Sequence, residues 1–478
     1  KLHWLDEGSK GVIEISNDAK KWKPYVLVSN EAQADAKVQS TKLKAQARYV
    51  RVTNTEDACL CEMEVYGKNG VKPVAHAEQG WIGEKYMLNG GNWTLCPISD
   101  PTTHAKKIGP EIVATVPATV LSSYHNAGAL PDPNYDDNLS MISESFFNRD
   151  FLYKRTFNVP SKMLEEDRRV LLNFDGINWK AIVVLNGKQV GKIEGAFTRG
   201  QFDITDYIKD GENELCVYVQ KNANPGARKT KTGENTSFNG GVLGGDNPTF
   251  HATIGWDWIT TIPGREVGIW NDVYLTSTRE VTISDPLVNT SLSDGKATMT
   301  PSVFVKNHLS SPVQGTLHGF IGDIRFEKDI FLAPHSELEF VFSPDEYPQL
   351  KNQQMKLWWP NGYGDPHLYT AGYYFVSNDE SAEVVYASRL NYQTGIRQVT
   401  FAEEMSRLQL YINGQRFIPL GGNWGFSENH LNYRGREYNI AVDYHKQMNC
   451  TMIRNWVGQT GDEEFYEACD RHGIMVWQ

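Results

Sequence analysis

The chain has 478 residues, more than one hydrophobic core requires, and at roughly 150 residues per domain about three domains are expected. Lysine and arginine number 47 against 58 aspartates and glutamates, so the net charge of −11 argues against nucleic acid as the main partner. No apolar run approaches the length that spans a bilayer, which argues against membrane insertion.

Most of the chain has the pattern of short β-strands separated by tight turns. Three dipeptides predict two-residue hairpins, because a type I′ turn needs two residues that tolerate positive φ: Asn186-Gly187, Asp294-Gly295 and Asn413-Gly414. Strands with this spacing predict several β-sandwiches in series. We therefore expect a multidomain, mainly β protein.

Three apolar segments near the end of the chain predict strands of another kind. They are RFIPL (416–420), TMIRNW (451–456) and IMVWQ (474–478), and helical segments separate them. Alternating strands and helices predict a parallel α/β unit. Three strands and two helices cannot cover both faces of a parallel sheet. We therefore expect an incomplete unit, the first part of a longer polypeptide whose further βα units form a (β/α)8 barrel.

The first predicted helix covers residues 436–449. The second begins at a capping box formed by Thr460 and Glu463, and Gly473 ends it. The predicted apolar faces carry Ile440, Tyr444 and Met448 in the first helix, and Phe465, Ala468, Cys469 and His472 in the second.

Seven segments resemble glycoside hydrolase family 2 in their order and spacing, over about residues 77 to 478. They are VPATVLSSYHNAGALPDPNYDDN (116–138), LLNFDGINWKAIVVLNGKQVG (171–191), IGWDWITTIPGREVGIWNDVYL (254–275), LWWPNGYGDPHLY (357–369), YQTGIRQV (392–399), INGQRFIPLGGNW (412–424) and the final 448–478. The resemblance implies a sugar-binding jelly roll at 77–280, an immunoglobulin-like sandwich at 281–398 and the truncated N-terminal part of a (β/α)8 catalytic barrel at 399–478.

The start of the chain resembles a different module. ARYVRVTNTEDACLCEMEVYG (47–67) is similar to the second half of a discoidin-like (factor 5/8 type C) module, which implies a partial discoidin-like β-sandwich at 1–70. Such modules often bind sugars, and a structural spacer is an equal alternative.

The family resemblance implies a retaining β-glycoside hydrolase that acts on β-mannosides of glycans. Retention needs two carboxyls about 5–5.5 Å apart. The family carries both as glutamates on the fourth and seventh barrel strands, so we expect no catalytic residue in this chain and no activity from it alone. GGNWGFSENHL (421–431) and IRNW (453–456) most resemble mannosylglycoprotein endo-β-mannosidases, whereas WDWITTIPGREVGIW (256–270) also resembles exo-β-glucosaminidases. An exo-β-glucosaminidase is therefore the alternative enzyme.

The first substrate-binding candidates are Trp256 and Asp257, in a glycine-rich loop that the family extends from the jelly roll into the barrel mouth. An indole face stacks on sugar C–H groups, and a carboxylate accepts hydrogen bonds from hydroxyls. In the alternative interpretation Trp256 is buried and Asp257 caps a turn; the resemblance favours binding.

The other candidates follow the first two barrel strands. Asn423 and Trp424 come just after the first, where barrel sites are built, and a packed loop turn is the alternative. Arg454 lies near the end of the second strand and needs a carboxylate partner inside a barrel. In the family that partner is near the nucleophile, and a structural ion pair is the alternative. Trp456 lines the same pocket or simply packs.

We expect no metal or cofactor, since the twelve histidines show no ligand grouping and GVLGG (241–245) lacks the residues of a phosphate loop. The expected partner is an oligosaccharide or glycan, at a periplasmic or secreted location. A non-catalytic carbohydrate-binding protein is the alternative from another class, and a scaffold without ligand is the third.

Overall fold

The computed structural model describes residues 2–4, 10–17, 20–29, 38–39, 41–42, 44–47, 49–54, 60–63, 79–82, 85–165, 168–225, 246, 264, 266–378, 388–402, 408–424, 436–455 and 463–478. The chain forms two compact units, Lys1–Pro73 and Val74–Gln478. Strands dominate the described residues, and they form several sheets with few helices. The prediction of a mainly β protein is confirmed.

The first unit contains two small antiparallel sheets. Its strands are β1 (Leu2–Trp4), β2 (Lys10–Ser16), β3 (Lys23–Ser29), β4 (Val38–Gln39), β5 (Tyr49–Asn54) and β6 (Leu60–Met63). The strand orders are β4-β1-β6 and β3-β2-β5. Ile13 and Val28 form a small buried core with partly buried valines of β3 and β5. Its likeness to a discoidin-like module stays a prediction.

The second unit begins with a large sandwich. Its elements are β7 (Gln79–Ile82), β8 (Lys85–Leu88), β9 (Gly90–Ile98), β10 (Ile112–Val116), α1 (Val120–Asn126), α2 (Asn138–Met141), β11 (Asp150–Asn158), β12 (Arg169–Phe174), β13 (Lys180–Leu185), β14 (Lys188–Glu194), β15 (Gly200–Asp203), β16 (Glu212–Gln220) and β17 (Val273–Thr278), with 3-10 turns at Glu144–Phe146 and Ser161–Leu164. A six-stranded sheet has the order β10-β9-β11-β16-β13-β14, and a five-stranded sheet has the order β15-β12-β17-β8-β7. Both sheets contribute to one core, which includes Trp93, Phe151 and Phe174.

A second, smaller sandwich follows. Its elements are β18 (Val281–Ser293), β19 (Lys296–Asn307), β20 (Val313–Ile321), β21 (Ile324–Leu332), β22 (Glu337–Val341), a 3-10 turn at Pro348–Leu350, β23 (Leu368–Ser377) and β24 (Ser388–Gly395). The sheets have the orders β18-β19-β22 and β21-β20-β23-β24. Val303, Phe342 and Phe375 are among the buried residues that join them.

The last part of the chain changes to parallel pairing. Its elements are β25 (Val399–Ala402), β26 (Gln409–Ile412), β27 (Gln415–Phe417), β28 (Asn423–Trp424), α3 (Arg436–Gln447), β29 (Met452–Asn455), α4 (Glu463–His472) and β30 (Met475–Trp477). Strands β25 to β27 form an antiparallel sheet, whereas β28, β29 and β30 pair in parallel. The predicted alternation of parallel strands and helices is therefore present.

All three predicted hairpins are present. In each turn the asparagine or aspartate has a φ near 50° and the following glycine a φ between 73° and 80°. The flanking strands β13/β14, β18/β19 and β26/β27 pair directly across these turns. Local turn chemistry therefore fixes their register, as a type I′ turn requires.

Two predictions about the α/β part are wrong in detail. RFIPL is not one strand: Arg416 and Phe417 belong to the hairpin strand β27, and the first parallel strand begins at Asn423. The Asn413-Gly414 turn directs residues 415–417 back onto β26, so they cannot also begin the parallel sheet.

The buried face of α3 also differs from the predicted one. Tyr444 and Met448 are 59% and 63% exposed, whereas Tyr438 and Val442 are buried. The helix carries apolar residues on two sides, and the side that meets α4 and the sheet is the one that becomes buried. For α4 the prediction is confirmed at Phe465, which is buried with Ala468 and Cys469.

Candidate functional site

The candidate site lies at the carboxyl ends of β28 and β29. The parallel register places Asn423 beside Arg454. Arg454 Nη1 donates a hydrogen bond to Asn423 Oδ1 over 2.8 Å, and the Arg454 backbone N–H donates to the carbonyl of Gly422 over 3.0 Å. Parallel α/β folds bind ligands at the carboxyl ends of their strands. Two of the residues predicted from the sequence are therefore in direct contact at such an end.

Trp477 on β30 is the third residue of a group with Asn423 and Arg454, and it was not among the residues predicted from the sequence. The strand pairing places Trp477 beside Arg454, whose Cζ lies 5.7 Å from the centroid of the indole ring. The side chain of Trp477 is 60% exposed. A guanidinium over an indole face is attracted by the ring electrons. The group thus offers an amide, a cation and an accessible aromatic surface, which suits a polar ligand with apolar C–H faces.

Trp424 lies on the opposite face of the sheet. Its ring stacks on Phe465 of α4, with the centroids 5.2 Å apart and the planes at 13°, and it makes an edge contact with Tyr438 of α3. Because successive side chains of a strand point to opposite faces, Trp424 and Asn423 diverge. The described contacts of Trp424 are packing contacts, and its role in binding stays a prediction.

A buried amide follows Arg454 and was also missed. Asn455 is 3% exposed, and its Nδ2 donates to Gln478 Oε1 over 2.9 Å. Tyr466 donates its hydroxyl to the same oxygen over 2.9 Å. Asn455 Oδ1 has no hydrogen-bond partner among the residues that the structure describes. Its position directly after Arg454 in the IRNW segment was the available signal.

Three predicted residues, Trp256, Asp257 and Trp456, lie outside the described residues. The structure does describe Asp246, which precedes Trp256 and Asp257 in the sequence. Asp246 is buried and accepts two hydrogen bonds from Asn224, from the backbone N–H over 2.7 Å and from Nδ2 over 3.2 Å. The binding roles of the three residues stay predictions.

The large sandwich shares a hydrophobic core with the α/β part. Trp270 of the sandwich is 5% exposed, and its Nε1 donates to the carbonyl of Ala196 over 2.8 Å. Both residues pack in one cluster with Val442 of α3 and Phe465 of α4. The helices that flank the parallel strands are therefore held against the sandwich.

Asp175 of the large sandwich forms a polar group with Tyr274 and Arg199. Asp175 accepts a hydrogen bond from the Tyr274 hydroxyl over 3.2 Å and lies 3.8 Å from Arg199 Nε. Burial raises the pKa of the Asp175 carboxyl; Lys85 and Arg199 act in the opposite direction. Glu463 at the start of α4 adds to the rise in this pKa, so the charge of Asp175 is linked to the α/β part.

The described residues include no cluster of three or more histidine, cysteine, aspartate or glutamate side chains suited to a metal ion. Among the helices that the structure describes, none is long and apolar enough to cross a membrane.

Two sandwiches followed by a parallel α/β part, with a polar and aromatic group at the strand ends, define a multidomain protein of sandwich-plus-α/β type. Residues 100–271 match the model of the glycosyl hydrolase 2 galactose-binding domain-like family, and residues 281–397 match that of glycosyl hydrolases family 2. The chain belongs to glycoside hydrolase family 2, in its β-mannosidase-like branch.

Curated relatives agree with this assignment. A mannosylglycoprotein endo-β-mannosidase of Lilium longiflorum is 31% identical over 393 residues, which cover 77% of this chain and 39% of the relative. An exo-β-D-glucosaminidase of Streptomyces avermitilis is 26% identical over 391 residues, or 79% of this chain and 39% of the relative. The chain thus spans about two fifths of the length of these relatives.

Solved structures show the same fold. The exo-chitosanase of Amycolatopsis orientalis superposes with a TM-score of 0.66 at 21% identity, covering 82% of this chain and 43% of that chain. The β-D-mannosidase of Dictyoglomus thermophilum has a TM-score of 0.59 at 23% identity, covering 83% and 47%.

Proposed function

We propose that the full-length protein is a retaining β-glycoside hydrolase that acts on β-mannosides of glycans. The observation that carries the proposal is the Arg454–Asn423 pair at the carboxyl ends of parallel strands in a chain of glycoside hydrolase family 2. The similarity to the Lilium longiflorum endo-β-mannosidase supports a β-mannoside substrate. A secreted or periplasmic location and a glycan substrate belong to the same proposal.

The proposal includes a (β/α)8 barrel that begins with β28, β29 and β30. The sheet face opposite α3 and α4 carries Asn423, Arg454 and Trp477, which would then face the barrel interior. Ile418 and Leu420, which lead into β28, are both largely exposed. Further βα units would cover these apolar side chains, since parallel sheets are normally buried on both faces.

Each of the site residues would have a distinct role. Arg454 would lie beside a carboxylate and keep it ionised, because a nearby cation lowers the pKa of an acid. Asn423 would orient Arg454 by accepting its Nη1–H. Trp256 and Asp257 would reach the sugar from the large sandwich, and Trp456 would line the same pocket. Trp424 would support that pocket from the helix side of the sheet. Two glutamates on later strands, about 5–5.5 Å apart, would carry out the displacement.

We further propose four domains: a partial discoidin-like sandwich (1–70), a sugar-binding jelly roll (77–280), an immunoglobulin-like sandwich (281–398) and the N-terminal part of the barrel (399–478). The division of the chain after Pro73 and the two pairs of packed sheets support these boundaries.

An exo-β-glucosaminidase is the second candidate, supported by the similarity to the Streptomyces avermitilis exo-β-D-glucosaminidase. A non-catalytic carbohydrate-binding protein is the candidate from another class, supported by the exposed indole of Trp477 beside Arg454.

The test uses full-length protein and aryl β-mannoside, β-glucosaminide, β-glucuronide and β-galactoside substrates, with an aryl α-mannoside as the control. We expect hydrolysis of the β-mannoside, and proton NMR of the first-formed sugar should show the β-anomer. Preference for the β-glucosaminide would select the second candidate. Binding of oligosaccharide without hydrolysis of any substrate would contradict an enzyme.

A further inference from the structure

One loop of the smaller sandwich contacts the segments that lead into β29 and β30. In this loop, residues 358–363, Asn361 donates from Nδ2 to the carbonyls of Lys446 and Cys450, both over 3.0 Å. The Asn361 backbone N–H donates to the carbonyl of Gly473 over 2.7 Å. Cys450 lies two residues before β29, and Gly473 lies two residues before β30. Asn361 therefore forms hydrogen bonds with the segments that directly precede two of the strands.

The same loop reaches the segment that leads into β28. The hydroxyl of Tyr363 accepts a hydrogen bond from the Ile418 backbone N–H over 2.9 Å, and its ring lies 5.5 Å from that of Phe417. Thr451 then joins this segment to the start of β29, since its Oγ1 accepts from the Leu420 N–H over 2.8 Å. The segments that lead into all three parallel strands thus form hydrogen bonds with the 358–363 loop.

The loop itself is held firmly in place. Trp358 Nε1 donates to the carbonyl of Asp470 in α4 over 2.8 Å, and Asn413 Nδ2 donates to the Trp358 carbonyl over 2.9 Å. The guanidinium of Arg397 lies 4.6 Å from the Trp358 ring centroid, and its Nη1 lies 3.0 Å from Met475 Sδ. The carbonyls near a helix end lack partners within the helix, and Trp358 supplies a donor to one of them, that of Asp470. Asn361 adds a second donor to the Lys446 carbonyl, which also accepts from the Asn449 N–H over 2.9 Å.

We propose that the 358–363 loop is a positioning element. It sets how far each of the three parallel strands is shifted along its axis relative to the others, and it thereby aligns Asn423, Arg454 and Trp477 at the carboxyl ends of these strands. Arg454 lies four positions after Cys450, or about 13 Å along an extended strand at ~3.3 Å per residue. Strands this short transmit a shift at one end to the other. What the aligned group binds rests on the proposed function; the alignment itself does not.

A purely stabilising role is the competing explanation, and Asn307 supplies the matched control. Asn307 is a buried asparagine of the same sandwich, and its Nδ2 donates to the carbonyls of Ser311 and Ala333 over 2.8 and 3.0 Å. Its Oδ1 also accepts from the Leu309 N–H over 2.8 Å. Asn307→Ala therefore removes at least as many side-chain hydrogen bonds as Asn361→Ala, at a place away from the strand starts.

The experiment places 5-fluorotryptophan in the full-length protein and follows the fluorine resonance of Trp477, assigned with Trp477→Phe. Arg454→Met calibrates the effect of losing the guanidinium over that ring. We expect Asn361→Ala to move the Trp477 resonance and Asn307→Ala to leave it in place. Tyr363→Phe, which loses only the acceptor for the Ile418 N–H, should move it in the same sense and serves if Asn361→Ala fails to fold.

Turnover gives an independent measure at a temperature well below all the unfolding midpoints. We expect kcat/KM of Asn361→Ala to fall about tenfold or more, as small misplacements of binding groups do, and that of Asn307→Ala to stay within about twofold. An unmoved Trp477 resonance in both loop variants, or equal movement in Asn307→Ala, overturns the proposal. If no β-glycoside is cleaved, the proposed function fails, and the fluorine resonance still decides about the loop.

Discussion

The contact between Gly176 and Trp270 predicts a specific destabilisation where the large sandwich meets the helices. A Cβ at position 176 would lie 2.5 Å from Trp270 Cε2 and 2.6 Å from Nε1, far inside van der Waals contact. The ring cannot move aside freely, because Nε1 is bonded to the Ala196 carbonyl over 2.8 Å. Gly176 does not have a left-handed φ, so an alanine there meets no backbone strain. The three described atoms nearest to the added methyl group all belong to this indole.

The magnitude follows from these contacts. Gly176→Ala should destabilise the sandwich by about 1–3 kcal/mol, the usual effect of an added carbon in a packed core. Trp270→Ala should cost about 3–5 kcal/mol through the cavity it leaves. In the double variant the methyl group occupies part of that cavity, so its own penalty disappears. The double-mutant cycle should therefore show a favourable coupling of about 1–3 kcal/mol.

Differential scanning calorimetry of the four proteins measures the coupling from the transition that contains the large sandwich. About 2–4 °C of midpoint shift corresponds to each kcal/mol for a domain of this size. Additive midpoint shifts in the double variant would refute the reasoning, because they would mean that the methyl group never met the indole. A neutral Gly176→Ala would do the same.

Three further predictions concern Arg454, a buried histidine of the smaller sandwich and the segment that leads into β28. Arg454→Met should lower kcat/KM of the full-length protein about a hundredfold or more, as loss of a preorganised charge does. A parallel fall in the temperature of the unfolding midpoint would instead indicate that Arg454 forms a structural ion pair. Burial lowers the pKa of His308 to about 4, so the folded state takes up its proton less readily than the unfolded state. Its stability contribution is complete above pH ~6.5 and should decline by up to about 3 kcal/mol as the pH falls toward 4; urea unfolding of His308→Gln should lack that decline, and an unchanged pH dependence would contradict it. Gly421→Ala would bring a Cβ within 1.9 Å of the Met452 carbonyl oxygen, whereas Gly422→Ala meets no atom of the described residues within 4 Å. Thermal unfolding should show a loss of about 1–3 kcal/mol for the first alone, and equal midpoints would refute the contact.

Features decided by neighbouring residues could be predicted from the sequence. The Asn186-Gly187 turn needs two residues with positive φ, and both have it in the structure. Phe465, Ala468 and Cys469 are buried as the spacing of α4 predicts, and Gly473 has a φ of 75° directly after that helix. In each case the chemistry that decides the outcome lies within one turn of chain.

Features decided by strand register could not be predicted in the same way. The sequence motifs pointed to Trp424 and not to Trp477 as a residue of the site. Which face of the sheet a tryptophan occupies depends on where each strand begins, and a shift of one residue reverses it. The assignment of RFIPL to the first parallel strand placed that start too early. Asn423 and Arg454 were found because the family motifs carry them, whereas their mutual hydrogen bond depends on the parallel pairing.

The position of the site is therefore determined by residues far from it in sequence. Trp270 and Ala196 of the large sandwich pack against α3 and α4, which lie on one face of the parallel sheet. Asn361 of the smaller sandwich holds the strand starts at the opposite end from Arg454. Support on one face and at the strand starts leaves the carboxyl ends of the strands, where the proposed site lies, outside these contacts. Because Trp270 and Asn361 provide that support, substitutions of these two residues should alter binding at the proposed site around Arg454 without touching the ligand.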